Sequence, residues 1–127
     1  MTTSNLTKEF EQLKLADTLK PVKTHNPLMT QRLGADPYVI VYEGRVYVYM
    51  TNDIAEYNEN GEVVPNTYSK IHTLNVISSE DLVNWTDHGS ILAASEEGAA
   101  KWGDNSWAPA VAYKTINGKT KFFIYFK

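Results

Sequence analysis

The chain has 127 residues, no cysteine, and 12 Lys+Arg against 15 Asp+Glu, for a formal net charge of −3. The missing cysteines exclude disulfides, thiol catalysis and cysteine-held metals. The mild acidity, with no Lys/Arg cluster, excludes the dense positive charge that nucleic acids require. No apolar run approaches the ~18 residues of a membrane-spanning helix, so no membrane partner is expected. Hydrophobic residues at 43% and charged residues at 21% suit one small globular domain or part of a larger one. The 8 Tyr, 4 Phe and 3 Trp need large apolar surfaces to cover them, or serve as platforms for a ligand.

Residues 1–25 are expected to form an amino-terminal arm or short helix, with Leu6, Phe10 and Leu13 at helical spacing. Lys8, Glu9, Glu11, Lys14 and Asp17 interrupt any signal-peptide core. A cytoplasmic location is the resulting expectation, with secretion open if a leader has been removed.

Tyr38–Tyr42 is β-branched and aromatic, bounded by Asp36-Pro37 and Glu43-Gly44, and reads as a strand. Arg45–Met50 follows after only Glu43-Gly44, which predicts a tight antiparallel hairpin. Neither strand alternates cleanly, so both are expected to be covered on both faces, as in a middle sheet or a β-propeller blade. The second strand returns Thr51, Asn52 and Asp53 to the rim where Asp36 begins, with Asp53 read as a solvated rim residue or turn anchor. Ile54–Ser69 is polar and reads as an excursion with a small hairpin at Asn60-Gly61. Ile71–Ser78 reads as a third strand and Ser90–Leu92 as a short fourth. Leu82 and Trp85 are expected to be buried anchors of the turn between them, and Ala93–Ser106 a loop.

The pattern then restarts. Ala35–Tyr42 aligns with Trp107–Lys114 at an offset of 72 residues, each followed by a Gly-containing turn and an aromatic strand. Self-similarity at a fixed offset points to a repeat architecture. The expected organisation is a first blade at about 34–92 and the start of a second at about 106–127. Phe122–Phe126 is apolar on both faces with only Lys127 after it, an aggregation hazard if left uncovered. Truncation within the second blade, or self-association through this strand, is therefore expected.

Asn26-Pro27-Leu28, Gly34–Val39 with its hairpin, Ser78–Trp85 and Ser106–Val111, in this order, resemble the amino-terminal part of family-43 glycoside hydrolases. That resemblance covers roughly Asn26–Lys127. It implies an all-β fold, a four-stranded antiparallel blade plus the start of a second, within the catalytic domain of a five-bladed β-propeller. It also implies inverting hydrolysis of arabinofuranosyl or xylosyl linkages in plant cell-wall arabinoxylan. Of the three carboxylates such enzymes use, only the Asp general base maps here, onto Asp36. The other Asp and the acid are expected elsewhere, so the chain alone should be inactive. Trp107 maps to an aromatic near the sugar pocket. Trp102, Asp104 and Asn105 precede it at the same mouth and are further candidates for substrate contact. The structural readings stay open beside these: Asp36 as a strand-entry residue before Pro37, and Trp107 as a tryptophan packed between blades.

His25, His72 and His88 are scattered, so no metal site is expected from this segment. Some relatives carry calcium on the propeller axis. A retaining, fructosidase-type propeller is disfavoured because Ala35 precedes Asp36 and Tyr38 follows Pro37. A non-catalytic carbohydrate-binding or self-assembling β module is the alternative from a different class.

Overall fold

The structure, a computed structural model, describes residues 27–127. The expected arm or helix at 1–25 lies outside the described residues. Every regular element among them is a strand: β1 (Ala35–Tyr42), β2 (Arg45–Thr51), β3 (Glu56–Tyr57), β4 (Val63–Val64), β5 (Thr73–Ser79), β6 (Thr86–Leu92), β7 (Ala110–Ile116) and β8 (Lys119–Tyr125). Strands β1-β2-β5-β6 form one four-stranded antiparallel sheet, β3-β4 a small hairpin inserted between β2 and β5, and β7-β8 a separate hairpin.

The β1–β2 link closes because Glu43 (φ 48°) and Gly44 (φ 76°) both take the left-handed conformation, as Asn117 (φ 51°) and Gly118 (φ 75°) do in β7–β8. Two successive positive φ values define the type I′ turn, whose twist matches that of the flanking strands. The expected small hairpin is β3–β4, its turn held by the Asn58 side chain, which accepts from the Asn60 and Glu62 amides.

Register assigns the faces. Pairing of Ile40 with Tyr47 and of Tyr49 with Val76 puts these side chains on one face, whereas Val39, Val48 and Ile77 share the other. On the first face Tyr49 and Val76 pack against Val111 of β7, flanked by Ile40, Tyr47 and Ile124. Tyr42 meets Tyr113 and Phe122 edge-on, at centroid distances of 5.1 and 4.9 Å, a favourable quadrupolar arrangement. On the second face Val48, Met50 and Ile77 form a cluster with Met29, Val46 and Trp85 against it.

Burial on both faces therefore holds for the central strands β2 and β5 but not for β1, where Val39 is 55% and Tyr38 40% exposed. The reason is positional: β1 is an edge strand of its sheet, and the Met29–Trp85 layer stops at β2. The fourth strand is longer than expected, because Gly89 (φ 82°) permits an irregularity that carries pairing back to Thr86. Trp85 packs on the core as expected, but Leu82 is 38% exposed and is no anchor. Hydrogen bonds hold that turn instead. Asp81 accepts from the Val83 and Asn84 amides (2.9 and 2.7 Å), and Ser79 Oγ accepts from the Leu82 amide (2.8 Å).

The repeat at 72 residues is geometric as well as sequential. Asp36 and Ala108, each before a proline, have φ of 49° and 46°. In both hairpins the pairing slips by one residue there. Ala35 faces Thr51 whereas Tyr38 faces Tyr49, and Trp107 exchanges both backbone bonds with Lys127 whereas Ala110 faces Tyr125.

Candidate active site

The two Pro corners lie side by side at one end of the sheets, and Thr51 joins them. At the end of β2, Thr51 is only 2% exposed. Its Oγ1 accepts from the Ala108 amide at 2.9 Å and donates to Asp36 Oδ2 at 3.2 Å. Asp36 is itself exposed, so its carboxylate combines solvent access with a fixed internal partner. A non-glycine residue at positive φ is uncommon, and such conformations concentrate at functional sites.

Asp53 lies beyond Thr51 on the same rim. Partial burial, and secondly the Asp36 charge, push its carboxyl above the usual aspartate range. Two carboxyl groups thus share this end of the sheet.

A buried polar network supports the rim. Asn75, fully buried, donates to the Leu33 carbonyl and to Asn52 Oδ1, both at 2.9 Å, and accepts from Ser90 Oγ at 2.7 Å. Asn52 in turn donates to Thr73 Oγ1 at 2.8 Å. The bond to Leu33 ties the Gly34–Asp36 approach to β5, and the bond to Asn52 ties the Thr51–Asp53 return to the same strand.

Trp107 adjoins the corner at Ala108. It is half-buried, and its indole Nε1–H is buried with no hydrogen-bond partner. Trp102 is 87% exposed on the 93–106 loop. That loop is rigidly tied: Ser95 donates to the Gly103 carbonyl at 2.8 Å and Ala100 to the Ala93 carbonyl at 2.8 Å. Asp104 is exposed. Asn105, with its amide turned to face acceptors, donates to the Tyr68 and Ser69 carbonyls at 3.1 and 3.2 Å, so its nitrogen clamps the neighbouring segment.

Asp36, Thr51 and the Trp107–Ala108 backbone are therefore one contiguous group, with Asp53 close to Asp36. Trp102 stands exposed on the 93–106 loop. The part of Thr51 and Asn75 was not drawn from composition. The hairpin register carries the signal for Thr51, because a tight β1–β2 turn sets it beside the Asp36 corner. For Asn75, the signal is a lone amide set between Leu74 and Val76-Ile77 in β5. A cavity of about 250 Å³ among Tyr42, Tyr47, Tyr49 and Phe122 lies toward the far end of β1 and is not part of this group. Among the described residues no three His, Asp or Glu side chains are grouped to hold a metal ion.

Comparison with known proteins shows what the chain is similar to. The chain is 55% identical over 107 residues to an arabinoxylan arabinofuranohydrolase of Paenibacillus polymyxa, covering 80% of this chain and 17% of that protein. It is 50% identical over 113 residues to one of Bacillus subtilis, covering 84% of this chain and 22% of that protein. The chain thus spans about a fifth of the length of these relatives. Among solved structures, it superposes with a TM-score of 0.78 on a Bacillus subtilis family-43 arabinoxylan arabinofuranohydrolase in complex with cellotetraose, at 50% identity, over 82% of this chain and 23% of that one. An α-L-arabinofuranosidase of Clostridium thermocellum superposes with a TM-score of 0.52 at 36% identity, over 76% and 28% of the respective chains. The model of glycosyl hydrolases family 43 matches residues 24–127, and the chain belongs to that family.

Proposed function

We propose that residues 26–127 supply the general-base side of an arabinofuranosidase that removes arabinofuranosyl branches from plant cell-wall arabinoxylan with inversion. The observation that carries this reading is the exposed Asp36 carboxylate at a left-handed corner, held by Thr51, in a chain so similar to arabinoxylan arabinofuranohydrolases. Asp36 takes a proton from water as that water attacks the anomeric carbon. A protonated acid on the far side of the sugar, separated by ~6.5–9.5 Å, gives its proton to the leaving oxygen. That acid and the second Asp belong to parts of the enzyme beyond this segment. The β1-β2-β5-β6 sheet is the first blade of a five-bladed propeller and β7–β8 the start of the second. Trp107 offers an indole face to the sugar, with Trp102, Asp104 and Asn105 on the loop beside it. Axial calcium, where an intact enzyme uses it, is assigned no ligand among residues 27–127.

The test uses a hybrid in which residues 27–127 replace the matching segment of the Paenibacillus polymyxa relative. Asp36→Asn should lower kcat on an aryl arabinofuranoside by ~10²–10⁴, and NMR of the first-formed sugar should show the inverted anomer. An unchanged rate would remove Asp36 from the base role, and a retained anomer would remove the inverting mechanism. The 127-residue chain alone should hydrolyse the same substrate no faster than buffer, and size-exclusion chromatography of it reports whether the β8 edge recruits a second copy.

A further inference from the structure

The Asp36 carboxylate has two oxygens, and the structure treats them differently. Oδ2 accepts from Thr51 at 3.2 Å, and among the described residues no other side chain or amide donates to this carboxylate. A hydroxyl has one proton and two lone pairs. Since the Ala108 amide already donates into Thr51 Oγ1 at 2.9 Å, the single Thr51 proton is directed at Asp36. Thr51 cannot readily turn away. It is 2% exposed, its backbone is paired with Ala35 on one side and Leu74 on the other, and its branched Cβ restricts χ1.

We propose that Thr51 is a positioning residue for Asp36: its hydroxyl, oriented by the Ala108 amide, fixes Oδ2 and leaves Oδ1 as the oxygen that accepts the proton of the attacking water. This rests on the reading of Asp36 as general base. It adds that the aim of the base is set by the second hairpin, through an amide 72 residues further along the chain. Without the hydroxyl, the plane of an exposed carboxylate is free to swing about its Cβ–Cγ bond, and neither oxygen is held toward the attacking water. Misplacement of a reacting group costs turnover more than binding.

Two measurements test the proposal. In the hybrid enzyme, Thr51→Val keeps the branched shape and removes the hydroxyl. It should lower kcat by about 10–100-fold with KM changed less than about twofold, and Thr51→Ser should restore most of the loss. Unchanged kcat in Thr51→Val, alongside an inactive Asp36→Asn, would overturn the positioning role while leaving the base reading intact. Equal rates in both variants and the parent would overturn the base reading itself. A loss in Thr51→Val that Thr51→Ser fails to restore would mark a packing role and also overturn the proposal. The second measurement uses the 127-residue chain and needs no turnover. The Ala108 amide-proton shift should follow Asp36 ionisation in the parent and in Thr51→Ser, and should lose that response in Asp36→Asn and Thr51→Val. An Ala108 amide that ignores Asp36 in the parent would overturn the relay.

Discussion

Replacement of Asn75 is the most demanding check on how the rim is held. Asn75→Leu is close to isosteric, so little of its effect comes from volume. The amide makes three hydrogen bonds, to the Leu33 carbonyl, Asn52 Oδ1 and Ser90 Oγ, at zero exposure. Each contributes about 1 kcal/mol net, and a partner stranded without water costs about 1–3 kcal/mol. Leu33 and Ser90 lie at the exposed margin and recover water, so the loss is set at about 3–4 kcal/mol, offset little by the added apolar burial. With about 4 °C per kcal/mol for a domain near 100 residues, Tm should fall by about 12–16 °C in a circular-dichroism melt. Asn75→Asp sharpens the test. At neutral pH it turns a carboxylate toward two acceptor oxygens and should lose more than Asn75→Leu, with partial recovery in acid, where one proton returns. A fall in Tm below about 4 °C for Asn75→Leu, or an Asn75→Asp variant no worse than it, would refute the reasoning.

Four further outcomes follow from the backbone and the charges. Glu43 occupies a left-handed turn position that Asn fills in the second hairpin; Glu43→Asn should raise Tm by about 2–4 °C, since the left-handed conformation costs most L-residues about 1 kcal/mol. A Cβ on Gly98 would lie 2.4 Å from the buried Ala94 carbonyl oxygen, whereas one on Gly103 would meet nothing closer than 3.5 Å. Gly98→Ala should therefore lower Tm by about 4–12 °C, from an overpacking cost of about 1–3 kcal/mol, and Gly103→Ala by much less. In acid, amide and side-chain hydrogen bonds hold Asp81, Asp87 and Glu56 below their ordinary values of 3.8, 3.8 and 4.5. Their stabilisation is complete above those values and is lost as pH falls, so Tm should decline from about pH 5 to pH 2. Asp53, raised by burial and by the Asp36 charge, runs the other way, its stabilisation fading as pH rises; carboxyl NMR should show its titration moving down in Asp36→Asn.

Much of the architecture was legible because it rests on local rules. The Glu43-Gly44 and Asn117-Gly118 turns, the Asn60-Gly61 hairpin and the 72-residue repeat each depend on a few residues whose conformational preferences are strong. The exposure of β1 is not legible in the sequence, because composition reports what a strand can cover, while its exposure depends on where neighbouring layers end. Leu82 misled for a related reason: an apolar residue suggests an anchor, but Asp81 and Ser79 satisfy the turn through hydrogen bonds. Within the candidate site, Asp36 and Trp107 stood out by motif, and Thr51 only as a residue returning to the rim. Its link to Ala108 depends on how two hairpins dock, which no local pattern encodes. Asn75 shows the same limit, since its partners lie 42, 23 and 15 residues away.

The bridge from Ala108 through Thr51 to Asp36 also bears on how the polypeptide matures during synthesis. The ribosome releases the Asp36 segment several seconds before Ala108, at ~5–20 residues per second, and the intervening loop must close before the contact forms. A nascent chain holding only the first sheet would carry Asp36 and Thr51 without the Ala108 amide that bonds to Thr51. The hydrogen-bonded corner is thus completed late, on docking of the second hairpin, and a mutation that merely slows that docking would delay its assembly without touching a single residue of the corner.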